Sequence, residues 1–278
     1  MTNFLKNSIG LYLSLLLCFS GRSMAQQSIV WPNGAKAAIC LTYDDAMSSQ
    51  LEQAVPVLNA LNLKGTFFLN SVGDDRMADQ WRQAALKGHE LANHTLFHPC
   101  LAAKGWKAAW ALDNYTFDRV LKEVQSMNTQ LYLLDGKKTQ RTFAFPCGDT
   151  TAGGVSYLDT LRRSGMVSYG RMVGDANSVV TDFASLDLLQ VPSMAVQPTN
   201  TAADLIAYAE KTAQKGGLGI YLFHGVGSQW IAVSASEHKK LVKYLAGKKQ
   251  TYWVTTFQEA MDYVSKWKKS HPSAVGTK

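Results

Sequence analysis

The sequence predicts an α/β fold in which βα units surround a mostly parallel sheet or barrel, and three observations carry that expectation. Short apolar runs of strand length alternate with longer stretches of helical period along almost the whole chain, the pattern that repeated βα units leave in a sequence. Several helical stretches open on Ser, Asp or Asn and close on Gly, as helix ends require. No Pro- or Gly-rich linker divides the 278 residues, so one domain is expected over residues 26–278.

In chain order the expected strands are AAICLTY (37–43), GTFFLN (65–70), ELANH (90–94), RTFAFP (141–146), MVSYG (166–170), LLQVP (188–192), GIYLFHG (219–225) and YWVTT (252–256). Most are short, nearly continuous apolar runs, as strands covered on both faces should be. Helices are expected between and after them at 48–62, 78–88, 114–131, 155–165, 202–217, 234–248 and 257–269. No internal repeat or low-complexity segment interrupts the alternation.

The first 25 residues have a different character. Lys6 supplies a positive start, IGLYLSLLLCF is a short apolar run, and SMA sets small residues before Gln26. This is the pattern of a cleaved secretory signal, too short to span a membrane. The chain is therefore expected to be secreted or periplasmic, with no stable membrane insertion after cleavage. Cys18 is a weak candidate for lipid attachment, because Leu17 stands where a small residue would be expected.

The net charge of +7 includes Lys6 and Arg22 of that segment. Lys and Arg are dense only around KWKK at 266–269, read as a solvated helix end, so nucleic-acid binding is not indicated. Three cysteines, Cys40, Cys100 and Cys147, lie beyond the signal and permit at most one intrachain bridge. Cys40 sits in an apolar strand and is read as a buried thiol. Cys100 and Cys147 each border or lie within a polar motif and are the pair to expect if any bridge forms; whether one forms stays open on the sequence.

Sites in parallel α/β architectures form outside the carboxyl ends of the strands. TYDDA, NHTLFHP, FPCGD and FHGVG follow four expected strands, so all four motifs should gather at one face. Asp44 and Asp45 are adjacent carboxylates, which in a cleft imply a cation or a shared proton; capping of the following helix is the alternative. His94 and His98 stand four apart, close enough for both to reach one ion. Two half-buried structural histidines would show the same spacing. Joined to a carboxylate such as Asp45, the pair makes a two-histidine, one-carboxylate set with open positions. His224 ends an apolar strand and is a candidate general acid, since histidine ordinarily titrates near neutrality. His238, within an expected helix, is a lesser candidate to approach the same face.

TYDDA, HTLFHP, FAFPCG and LFH, in this order and spacing, resemble the motifs of the polysaccharide deacetylases, carbohydrate esterase family 4. The resemblance runs from about residue 36 to residue 265. It implies an irregular (β/α) barrel of about seven strands, a distorted TIM-like form, and removal of N- or O-linked acetyl groups from carbohydrate. It also implies a divalent metal, with zinc the default for such a ligand set. Asp44 would be the base, Asp45, His94 and His98 the metal ligands, and His224 the acid. Pro146 and the Cys147 N–H would border the reacting carbonyl. Independently of the resemblance, Trp230 lies shortly after His224, where an aromatic can stack on a sugar ring of an acetylated carbohydrate substrate, and Trp106 and Trp110 follow the histidine motif; core or loop packing is the alternative for each.

Two departures from the family pattern stand out. Where the third motif carries an arginine that orients the base, this chain has Ala144; Arg171, in YGRMVGD, is the candidate substitute. No tryptophan-bearing fourth motif is evident in SLDLLQVPSM, although Asp187 has the position of a remnant. Two other functions stay open on the sequence: hydrolysis of a different non-peptide amide, and carbohydrate binding with weak catalysis.

Overall fold

The computed structural model describes residues 28–272; the expected signal over residues 1–25 lies outside them. The strands are β1 (Ala37–Asp44), β2 (Thr66–Leu69), β3 (Glu90–Asn93), β4 (Arg141–Ala144), β5 (Thr151–Ala152), β6 (Val155–Ser156), β7 (Val167–Met172), β8 (Val191–Pro192), β9 (Met194–Ala195), β10 (Leu218–Phe223) and β11 (Tyr252–Thr255). The α-helices are α1 (Val55–Ala60), α2 (Asp75–Leu86), α3 (Phe117–Asp135), α4 (Leu158–Ser164), α5 (Ala202–Gln214), α6 (Ala235–Gly247) and α7 (Phe257–Ser270).

The main sheet runs β8-β7-β4-β3-β2-β1-β10-β9, with β11 also paired to β1, and every pairing in it is parallel. Its two edge strands are consecutive in sequence. β8 pairs with β7 and β9 pairs with β10, with Ser193 alone between them. One extended segment thus joins both edges and brings the sheet close to a closed barrel, the irregular form expected. Ser193 lies at the handover, and its Oγ donates to the Met172 carbonyl at 2.7 Å.

β1 is buried at all eight positions, and its side-chain period of two sorts them between layers. Ile39, Leu41 and Tyr43 belong to the cluster that includes Leu58, Leu205 and Leu241 of the surrounding helices. Ala38 and Cys40 belong to a second cluster with Phe68, Ala92, Ala144 and Ile220. Asp44 shares the parity of Ala38 and Cys40, which directs its carboxylate toward the barrel axis at the mouth.

Several boundaries differ from expectation for identifiable reasons. The 48–62 helix opens as a π-helical turn over Gln50–Ala54 before α1; Pro56 has no N–H to give to the regular ladder. α2 starts earlier, at Asp75, because the Asp74 side chain caps the Met77 N–H at 2.8 Å. Val155 and Ser156 pair with Thr151 and Ala152 instead of opening α4. Lys268, expected in a solvated tail, donates to the carbonyls of Phe183, Ala184 and Leu186 and so fastens α7 to that loop.

Candidate metal and catalytic site

The four polar motifs converge at the carboxyl mouth of the barrel. After β1 the chain turns through two left-handed residues, Asp45 (φ 76°) and Ala46 (φ 52°), and the Asp45 N–H donates to Phe68 O at 3.1 Å. This turn lets adjacent carboxylates diverge. Asp44 is buried and Asp45 is partly open. Neither caps the helical segment that follows, whose N-terminus has no side-chain cap.

The NHTLFH segment is a tight loop, with Thr95 (φ 58°) and His98 (φ 49°) both left-handed. Asn93 Oδ1 accepts from the Thr95 N–H at 2.8 Å, and Thr95 Oγ1 accepts from the His98 N–H at 3.0 Å. From α3, Glu123 Oε2 accepts from the Phe97 N–H at 3.1 Å. These bonds place the His94 and His98 rings 4.6 Å apart at 75°. His94 Nδ1 donates to Ala144 O at 2.8 Å, which leaves Nε2 with a free lone pair. That Nε2 lies 3.6 Å from Asp45 Oδ1 and 3.7 Å from Asp44 Oδ2; His98 Nε2 lies 3.3 Å from Asp45 Oδ1. One donor atom each from Asp45, His94 and His98 fits within 4.8 Å, a group able to hold a metal ion.

The electrostatics favour a cation there. Burial and the neighbouring Asp44 charge push the Asp45 carboxyl up to about 6, so two carboxylates share the mouth without enough positive charge. Burial lowers His94 to about 3 and lowers His98 as well, keeping both rings neutral and ready to donate lone pairs. Asp44 Oδ1 is buried with no hydrogen-bond partner among the described residues.

Arg171 is fully buried, and its Nη2 donates to Asp44 Oδ2. It is the direct ladder partner of Ala144 in the β4–β7 pairing. The guanidinium thus enters the barrel from the strand beside the one expected to carry it, at the same level. Burial raises the Asp44 pKa, but the charges of Arg171, His94 and His224 outweigh that and hold it below the usual carboxylate value. His224 Nε2 stands 3.9 Å from Asp45 Oδ2 across the mouth. Gln50 was not anticipated: its Nε2 donates to Asp44 O at 2.5 Å and His224 O at 3.1 Å, tying the Asp44 turn to the His224 strand. Its sequence context, a polar residue inside an apolar helical face, was the available signal.

Cys100 and Cys147 form a disulfide, the pairing that the motifs left open, and Cys40 is free and buried. Cys147 is left-handed (φ 54°) next to buried Pro146. Trp230 is 67% exposed, on the loop after His224 whose Gly225 N–H donates to Trp230 O at 3.0 Å. Trp106 lies 6.1 Å from the His98 ring, whereas Trp110 has Arg119 at 6.0 Å from its ring. His238 does not approach the site: it is buried, with Nε2 2.7 Å from Tyr43 Oη, on the helix-facing side of β1. Asp187 is also elsewhere, paired with Arg162 at 2.9 Å.

A nearly closed parallel barrel with this cluster at its carboxyl mouth defines the class as an α/β-barrel hydrolase. Residues 32–165 match the family model of the polysaccharide deacetylases, hydrolases of amide or ester bonds in carbohydrates. The matched stretch contains the first three motifs; Arg171, His224 and Trp230 lie beyond it. No curated protein sequence matches the chain.

Solved structures share the fold at low identity. A polysaccharide deacetylase described as putative, from Mycobacterium smegmatis, is 16% identical with a TM-score of 0.65, covering 90% of this chain and 97% of its own. The peptidoglycan deacetylase PdaC from Bacillus subtilis is 17% identical with a TM-score of 0.53, covering 84% of this chain and 94% of its own. PdaA, a family 4 carbohydrate esterase of Bacillus subtilis, is 19% identical with a TM-score of 0.52 and covers 85% of each chain.

Proposed function

We propose that this protein is a zinc-dependent deacetylase that removes N- or O-linked acetyl groups from a carbohydrate outside the cytoplasm. The observation that carries the reading is the Asp45, His94 and His98 donor set within 4.8 Å, beside a carboxylate held by a buried arginine. Two neutral imidazoles, one carboxylate and the unpartnered Asp44 Oδ1 fit a divalent ion. When bound, zinc would polarise the acetyl carbonyl and acidify the attacking water.

Asp44 takes the proton from that water. Arg171 keeps the carboxylate ionised and aimed, since a guanidinium hydrogen bond fixes its orientation as well as its charge. The Cys147 N–H, beside Pro146, donates to the oxygen on which negative charge develops. His224 returns a proton to the departing amine or alcohol. Trp230 offers a sugar-stacking face. The Arg171–Asp44 pair weighs against a carbohydrate-binding protein without useful catalysis, because it supplies the base support that Ala144 lacks.

The test is acetate release from acetylated xylan, chitooligosaccharides and peptidoglycan, with and without chelator, alongside Asp44→Asn. Wild type should release acetate from at least one substrate, and chelator and the variant should each abolish it. Zinc binding with no acetate from any substrate would sink the enzymatic reading, and release that survives chelation would remove the metal mechanism.

A further inference from the structure

The two ligand histidines treat their second ring nitrogens differently. His94 gives Nδ1 to the Ala144 carbonyl at 2.8 Å, the oxygen partner that a ligating imidazole usually has. His98 Nδ1 instead lies 3.7 Å from Cys100 Sγ, while its Nε2 faces Asp45. Both sulfurs of the Cys100–Cys147 bridge and one nitrogen of His98 lie within 4.8 Å of one another. The two Cα atoms are 5.8 Å apart, near enough for two thiolates to converge on one ion with bonds of about 2.3 Å.

We propose that Cys100, Cys147 and His98 form a second, redox-gated site for a soft divalent cation, closed while the bridge is intact and opened by its reduction. A dithiol supplies two electrons and two protons: its own sulfurs join, the Cys100–Cys147 bond breaks, and each cysteine takes one proton. The incoming ion displaces those protons to solvent. It is then held by two thiolates and His98 Nδ1, with the fourth tetrahedral position open to water. Thiolates select soft ions, which sets this site apart from the carboxylate-bearing one. A neutral imidazole has a single lone pair, so His98 serves one site at a time. The state of the bridge decides which nitrogen is used, and filling the thiolate site weakens the Asp45 site. This site is defined by its sulfurs and stands whichever reaction the barrel catalyses.

Cadmium provides the probe, because thiolate ligation gives an ultraviolet charge-transfer band. The full chain is titrated with Cd2+ oxidised, and again after reduction by a phosphine, which takes oxygen from water as it becomes the phosphine oxide. The expected result is a band saturating at one ion per chain in reduced wild type and reduced Asp45→Asn. Oxidised wild type and the Cys100→Ser/Cys147→Ser double variant should show none. His98→Gln should weaken cadmium binding by the reduced protein at least tenfold. Far-UV circular dichroism on each sample reports the fold. No band in reduced wild type, a band that persists in the double variant from Cys40, unchanged affinity in His98→Gln, or unfolding on reduction would each overturn the proposal. Absence of acetate release with the band intact would count against the deacetylase reading alone.

Discussion

Arg171 on β7 lies beside Ala144 on β4 in the sheet ladder and spans the barrel interior to Asp44 at the end of β1. Ala144 is small and fully buried, and the space it leaves is at the level where the neighbouring strand inserts its guanidinium, which also lies 5.1 Å from the Phe68 ring centre. A charge that two buried groups share is costly to break from one side, because the remaining ion has lost its water.

Arg171→Met should therefore destabilise the protein by about 3–5 kcal/mol and slow acetate release, and Arg171→Lys should recover stability better than rate. The sign of the pH effect follows from Asp44, whose folded pKa lies below its unfolded value. Its contribution is present above the unfolded pKa and is lost as pH falls through the folded one. Without Arg171 the folded pKa rises, so the acidic limb of the kcat profile should move to higher pH. An unmoved limb in Arg171→Met would refute the positioning role.

Asp45 behaves in the opposite sense in the metal-free protein. Its folded pKa, about 6, exceeds the unfolded carboxylate value, so its contribution is full below about pH 4 and disappears as pH rises through 6. Asp45→Asn should raise the metal-free Tm at pH 7 by roughly 2–5 °C, with the gain vanishing near pH 4. Calorimetry in chelator decides it, and a lowered Tm at pH 7 would contradict the account.

Metal affinity should follow the same carboxyl. His94 has its pKa near 3, so protons do not compete for that ring at mildly acidic pH. Below about pH 6, Asp45 takes a proton, and zinc Kd should rise about tenfold per pH unit. His94→Ala should weaken zinc at least a hundredfold at pH 7. Titration calorimetry at pH 5, 6 and 7 checks both; a pH-independent Kd would remove Asp45 from the ligand set.

The Cys100–Cys147 bridge closes a sequence separation of 47 residues, for which chain entropy gives about 4 kcal/mol of stabilisation. Intact mass after alkylation, with and without reduction, should show one protected pair and one thiol, Cys40. Finding three alkylated cysteines without reductant would end the idea. Denaturant unfolding of Cys100→Ser/Cys147→Ser should show most of that loss.

Trp230 is 67% exposed, so Trp230→Ala should shift stability by no more than about 0.5 kcal/mol. It should raise KM for a polymeric acetylated substrate several-fold while leaving kcat near wild type. An equal KM for both proteins would return the residue to a loop-packing role.

Much of this molecule was legible in its residues. The βα alternation, the motif order and the likeness they carry to the polysaccharide deacetylases depend on local pattern and spacing, which survive in one dimension. Which two cysteines could pair was also readable, because each adjoins a motif that the fold must bring to one face; that they are bridged came from the structure. Three matters belonged to the tertiary structure. Arg171 reaches Asp44 across 127 residues of sequence, and only the β4–β7 register reveals that it lies beside Ala144. His238 falls on the helix-facing side of β1 and bonds Tyr43, a matter of strand parity that its own helix does not disclose. Closure of the barrel depends on residues 191–195 pairing with both edges, and so short a segment carries too little periodicity to announce itself. Sequence specifies which groups are present and their local geometry; contact between groups on different strands is set by sheet register, which only the assembled barrel fixes.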